Sequence, residues 1–65
     1  MTLSNLQIQW NCIMIERMIT KAILSGNQTN EELVRIVEDN FYPQSEFEME
    51  SYSEAIIYAK LSLLN

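Results

Sequence analysis

Histidine is absent from this 65-residue sequence, glycine, proline and cysteine occur once each, and lysine and arginine together number only four. Each shortage removes a class of chemistry. Without an imidazole there is no ordinary proton relay, and the His/Cys sets that hold zinc cannot be assembled. The single Cys12 closes no intrachain disulfide and sits on an apolar stretch with no cationic neighbour to activate it. One glycine, Gly26, is too few for a G-x-G-x-x-G turn or a P-loop, and no serine stands in a G-x-S-x-G setting. A calcium loop counted from Asp39 fails at Phe41 and Pro43, where ligands should stand. Carboxylates are plentiful but lie in a polar stretch with nothing to drive their pKa values apart, so a four-carboxylate metal site shared across a dimer is the one metal reading left. The expectation is a protein that is not an enzyme and carries no cofactor.

Long apolar runs are missing too. The most apolar stretch, Cys12 to Leu24, is cut by Glu16, Arg17 and Lys21, so it reads as neither a signal sequence nor a membrane span, which needs ~20 nearly uninterrupted apolar residues. The sequon Asn27-Gln28-Thr29 carries no weight without a secretory signal. A cytoplasmic protein without a membrane partner is expected. A chain this short buries only about 60% of its unfolded surface and draws roughly 3–5 kcal/mol from a single core. With disulfide and zinc unavailable, a partner chain is the remaining source of stability.

What is present is helical patterning, which predicts an all-α, small three-helix domain over residues 1–65, with helices at about 5–24, 30–40 and 51–64. Ser4 and Gln7 form a capping box, with Leu3 stapling to Ile8; Ile8, Cys12, Ile15, Ile19, Ala22 and Ile23 then share one face at 3.6-residue spacing, and Gly26 offers a left-handed stop. Residues 5–14 also alternate almost as a half-buried strand does, so a strand there competes with the helix. Thr29 and Glu32 make a second capping box ahead of the narrow stripe Leu33, Ile36, Val37 and Phe41, which Asn40 and Pro43 bring to an end. The third helix has two possible starts, Ser45 with Glu48 or Ser51 with Glu54, and its body from Ala55 to Leu64 carries apolar residues on two sides.

Two candidate interaction surfaces follow. On the first helix Leu6, Trp10, Ile13, Met14 and Leu24 lie roughly opposite the isoleucine face, interrupted by Arg17 and Lys21. A helix apolar on two sides is normally covered on two sides. Either both shorter helices pack on it from different directions, or the Trp10 side meets another chain, a homodimer across antiparallel first helices being the simplest closed solution. Trp10 suits the role of anchor, and Met14 and Met18 that of adaptable fillers.

The second surface comes from charge. The net charge of −5 comes from residues 38–54, which carry Glu38, Asp39, Glu46, Glu48, Glu50 and Glu54 with no lysine or arginine, offset only by Lys60 after them. Within it Glu46, Phe47, Glu48, Met49 and Glu50 alternate acid with apolar, beside the aromatic pair Phe41-Tyr42. Acids framing apolar anchors match a basic, grooved protein surface. Direct nucleic-acid binding is not expected, because the outer residues of the second helix, Glu31, Glu32, Arg35, Glu38 and Asp39, would repel phosphates. The function expected is that of a small regulatory or adaptor protein acting by protein binding through Leu6, Trp10, Ile13, Met14 and Arg17 and through Phe41, Tyr42, Glu46, Phe47, Glu48 and Glu50. Two alternatives stand beside it: an inhibitor encoded by a phage or other mobile element that occupies the basic groove of a nucleic-acid-handling protein, and a structural subunit of a larger assembly.

Overall fold

A computed structural model describes residues 3–26 and 28–64 as three α-helices: α1 (Asn5–Ser25), α2 (Asn30–Phe41) and α3 (Glu46–Leu64). Asn27 of the sequon, and Met1 and Thr2 at the start of the expected non-signal segment, lie outside the described residues. Residues 5–14 are helix, and no strand occurs among the described residues. The alternation there loses because Ile8, Ile15 and Ile19 bury themselves at helical spacing, a periodicity that a strand of residues 5–14 would break.

Local signals explain most boundaries. At the start of α1 the Gln7 amide donates to Ser4 Oγ at 3.2 Å and the Ser4 amide donates to Gln7 Oε1 at 2.8 Å. Thr29 and Glu32 repeat this reciprocal pair ahead of α2, at 3.2 and 3.0 Å. The stops differ from the sequence expectation. Gly26 is extended, with φ 171°, a conformation open to any residue, and a β-carbon there would meet nothing within 4 Å. The left-handed residue is instead Tyr42, with φ 46° and ψ 61°, after an α2 that runs to Phe41. Its amide donates to the Glu38 carbonyl at 3.0 Å, so the turn closes the helix, and Pro43 prevents continuation.

The third helix starts at Glu46, five residues ahead of the expected position 51. Of its two possible caps the chain uses Ser45, whose Oγ accepts from the Glu48 amide at 3.1 Å. The reason lies in the core. Tyr52, Ala55, Ile56 and Ala59 occupy the buried side of α3, and the earlier start lets Glu48 join them one turn before Tyr52.

Helix α1 runs parallel to α3: Asn11 and Cys12 meet Tyr52 and Ser51, while Thr20 and Lys21, further along, lie beside Ala59 and Ser62. Helix α2 returns alongside this pair, antiparallel to α3, with Asn30 accepting from Lys60 Nζ at one end and the Phe41 ring 5.9 Å from that of Tyr52 at the other. The core comprises Ile8, Ile15, Ile19, Leu33, Val37, Tyr52, Ala55, Ile56 and Ala59, with Leu3, Cys12, Ala22, Ile23, Val34, Ile36 and Phe41 at its margin. No helix among the described residues is long and apolar enough to cross a membrane.

Candidate functional site

At 100° per residue, Leu6, Trp10, Ile13, Arg17 and Leu24 project from the side of α1 opposite Ile8, Ile15 and Ile19, with Met14 and Lys21 at one edge. The two shorter helices leave that side uncovered. Leu6 is 63% exposed, Trp10 60% and Met14 53%, and Ile13, Arg17 and Leu24 are exposed as well. Met18, grouped with them by residue type, is half-buried. The split is not one of residue type, since Ile13 is exposed while Ile8, Ile15 and Ile19 are buried. Single exposed apolar residues are ordinary on protein surfaces, whereas here several stand side by side.

The acidic surface is rearranged relative to the sequence reading. Glu48, expected among the exposed acids, is 2% exposed. The alternation of residues 46–50 belongs to a helix, so it does not send alternate side chains to opposite faces; Glu48, Tyr52, Ala55 and Ala59 share the inner side instead. The buried carboxylate is fully engaged. Its Oε1 accepts from the Gln44 amide at 3.3 Å and its Oε2 from the Tyr52 hydroxyl at 3.1 Å. That hydroxyl in turn accepts from Asn11 Nδ2 at 2.8 Å, so a chain of hydrogen bonds ties the start of α3 to the first half of α1. Among the described residues no buried side-chain polar atom lacks a partner.

Two ionisable groups in this region are shifted from their usual values. Burial pushes the Tyr52 phenol above its usual value; the Asn11 bond acts in the opposite direction, and the nearby Glu48 adds to the rise. Burial likewise raises the Cys12 thiol, helped by Glu16 and Glu54, and its Sγ lies 3.6 Å from the Ser51 carbonyl oxygen that it donates to. A thiol held protonated is a poor nucleophile and metal ligand. No group of three or more Cys, Asp or Glu placed to hold a metal ion occurs among the described residues.

What remains exposed at this end is Glu38 and Asp39 on the last turn of α2, Tyr42 after it, and Glu46, Phe47, Glu50 and Glu54 on α3. Phe41 is half-buried, with its ring tilted by 58° against Tyr52, and serves the core more than the surface. The surface therefore keeps two aromatic side chains, Tyr42 and Phe47, within a field of carboxylates.

A third exposed group was not among the expected contact residues. Ile57, Tyr58, Leu61 and Leu64 cover the outer side of the second half of α3, with Tyr58 61% exposed. Phe47 lies eleven residues, about three helical turns, before Tyr58 and so points the same way. Its signal in the sequence is the second apolar side of that helix, but a C-terminal apolar stripe reads equally well as core.

Comparison with protein-family models, with curated proteins and with solved structures gave no significant match.

Proposed function

We propose that this chain is a small regulatory or adaptor protein without catalytic activity that acts by binding protein, pairing with a second copy through the outer face of α1 and offering its acidic end to a basic partner. One observation carries the reading: α1 exposes Leu6, Trp10 and Ile13 opposite the side that it buries, with Met14 exposed at the edge of the same face. In so small a chain such a face is costly to leave in water. The acidic end supports the second half of the proposal through Tyr42. Its left-handed backbone costs roughly 1–2 kcal/mol for a residue with a β-carbon, yet the position holds an exposed aromatic where glycine would relieve the strain.

Light scattering over a micromolar to millimolar concentration range tests the pairing; a mass that stays near 7.6 kDa throughout rejects it. Capture of binding proteins by the unaltered chain and by a Glu46→Lys, Glu50→Lys variant tests the acidic contact, and undiminished capture by the variant rejects it. Salt distinguishes the inhibitor alternative. A surface that imitates nucleic acid in a basic groove loses affinity steeply between ~50 and 200 mM salt, whereas contact through apolar anchors does not. The second reading favoured by a specific observation is that of a subunit in a larger assembly. It draws on the exposed Ile57, Tyr58, Leu61 and Leu64, which pairing through α1 leaves uncovered.

A further inference from the structure

The exposed stripes of α1 and α3 carry the same pattern in opposite directions and with opposite charge. Along α1 the stripe is apolar at Leu6, Trp10, Ile13 and Met14, basic at Arg17 and Lys21, and apolar again at Leu24. Along α3 it is apolar at Phe47, acidic at Glu50 and Glu54, and apolar again at Ile57, Tyr58, Leu61 and Leu64. We infer, resting on the reading that the outer face of α1 meets a second copy, that what it meets there is the outer face of α3, with the two helices antiparallel, Arg17 level with Glu54 and Lys21 level with Glu50.

Those two charge pairs fix every other position. At 1.5 Å per residue the same alignment sets Trp10 level with Leu61, Ile13 with Tyr58, Met14 with Ile57 and Leu24 with Phe47, along a stripe of about 27 Å. Steps of 4, 3, 1, 3, 4 and 3 residues from Leu6 to Leu24 meet steps of 3, 3, 1, 3, 4 and 3 from Leu64 back to Phe47. Charge explains why the facing stripe is not another α1. Arg17 and Lys21 are of like sign and gain nothing from a second copy of themselves, whereas Glu50 and Glu54 answer both. The remaining charges of α3 do not interfere: Glu46 is a further exposed acid, Glu48 is buried, and half-buried Lys60 donates to Asn30.

Other alignments lose part of the match. A shift of one turn that sets Lys21 level with Glu54 moves Arg17 onto Tyr58 and Trp10 past Leu64. One turn the other way puts Arg17 with Glu50 and Lys21 with Glu46, but it sets Ile13 level with Glu54 and carries Leu24 beyond the start of α3. Parallel helices that pair Arg17 with Glu50 and Lys21 with Glu54 leave Leu6 and Trp10 ahead of Glu46, with no helix to face. Within one copy α1 and α3 pack by their inner sides, so the two stripes point away from each other and meet only between copies. The contact is therefore head-to-tail: each copy offers α1 to one neighbour and α3 to the next, and assembly continues past two copies as a ring or a filament.

Two complementary charge reversals test the contact. Glu50→Lys, Glu54→Lys and Arg17→Glu, Lys21→Glu each alter exposed side chains alone, and circular dichroism should show both chains folded. In sedimentation the unaltered chain should reach a mass above twice 7.6 kDa as concentration rises. Each variant by itself should associate at least about tenfold more weakly, because two attractive positions become repulsive. Their equimolar mixture should regain association, since glutamates on α1 of one chain then meet lysines on α3 of the other. Undiminished self-association of Glu50→Lys, Glu54→Lys overturns the inference and leaves the pairing through α1 standing. A species that stops at two copies, or a mixture no more associated than its parts, overturns it as well. Oxidative cross-linking in a Cys12→Ser background gives a second measurement without charge reversal. Arg17→Cys mixed with Glu54→Cys should form the mixed covalent dimer, and neither chain alone should link to itself; self-linking of Arg17→Cys at the rate of the mixture indicates α1 on α1 and overturns the inference. A mass near 7.6 kDa at every concentration overturns it together with the pairing.

Discussion

The two sides of α1 carry similar residues and meet different fates. Ile8, Ile15 and Ile19 on one side are sealed against α2 and α3; Leu6, Trp10, Ile13 and Met14 on the other stand in water. Hydrophobicity alone therefore does not decide burial in this chain. The supply of covering helices does, and a twelve-residue α2 with a nineteen-residue α3 covers one side of a twenty-one-residue helix, not two. The inner side is where the fold is made, and the outer side is surplus to it.

The largest test of that contrast sets one truncation on each side. Ile19→Ala should cost about 2–5 kcal/mol, comparable to the whole stability of a chain this size, so circular dichroism should show most of the helix lost at room temperature. Trp10→Ala should shift the denaturation midpoint of the monomer by no more than about 0.5 kcal/mol, yet raise the dimer dissociation constant about thirty-fold or more, as expected for an anchor worth at least ~2 kcal/mol. Equal destabilisation by the two would erase the distinction between the sides.

A smaller effect sharpens it from within the inner side. Tyr52→Phe keeps the apolar bulk but leaves Asn11 Nδ2 and Glu48 Oε2 without the hydroxyl between them, at a cost of about 1–3 kcal/mol. If urea denaturation shows no loss, the buried side is held by packing alone. Smaller still, Tyr42→Gly relieves the left-handed strain and should stabilise the fold by roughly 0.5–1 kcal/mol after the entropy of glycine is subtracted. The same variant should weaken capture of an acidic-end partner, separating stability from binding.

The smallest effect is that of pH. The Cys12 and Tyr52 protons are held more tightly folded than unfolded, where the ordinary values are 9.0 and 10.0. Their contribution is complete below pH 9 and is lost as pH rises through the folded-state values, so thermal midpoints should begin to fall above about pH 9 and fall less in Cys12→Ser. Glu32 behaves in the opposite sense. The Thr29 amide and hydroxyl hold its carboxyl below 4.5, so the α2 cap contributes above that pH and weakens as pH drops through the lowered value. A melting temperature flat from pH 8 to 11 would remove the alkaline part of this account.

How much could be read from the residues alone depended on how local the signal was. Ser4 with Gln7 and Thr29 with Glu32 act within four residues, and both capping boxes form as the sequence implies. The choice between Ser45 and Ser51 was not local. It turned on whether Glu48 could be buried, which required Asn11, thirty-seven positions earlier, to arrive beside Tyr52. The carboxylate's own partners, the Gln44 amide and the Tyr52 hydroxyl, lie four residues away; what no local window reveals is that α1 arrives to cover them through Asn11. The left-handed position is likewise not local: Gly26 is permissive, but the turn falls at Tyr42, between Phe41, which packs against Tyr52, and Pro43, which ends the helix. The exposed α1 stripe, by contrast, was legible, since a second apolar side can be counted at 3.6-residue spacing and the chain's length limits what can cover it.

The parallel course of α1 and α3 bears on how the chain acquires its structure during synthesis. The bundle joins partners such as Asn11 and Tyr52, 41 residues apart, and its buried set reaches Ala59. A nascent chain that has emerged only through α2 holds two helices whose inner faces lack their main cover, and helices of this length are marginal in water on their own. Folding thus waits for the second half of α3, at a ribosomal pace of ~5–20 residues per second. During that interval the inner isoleucines are as exposed as Trp10.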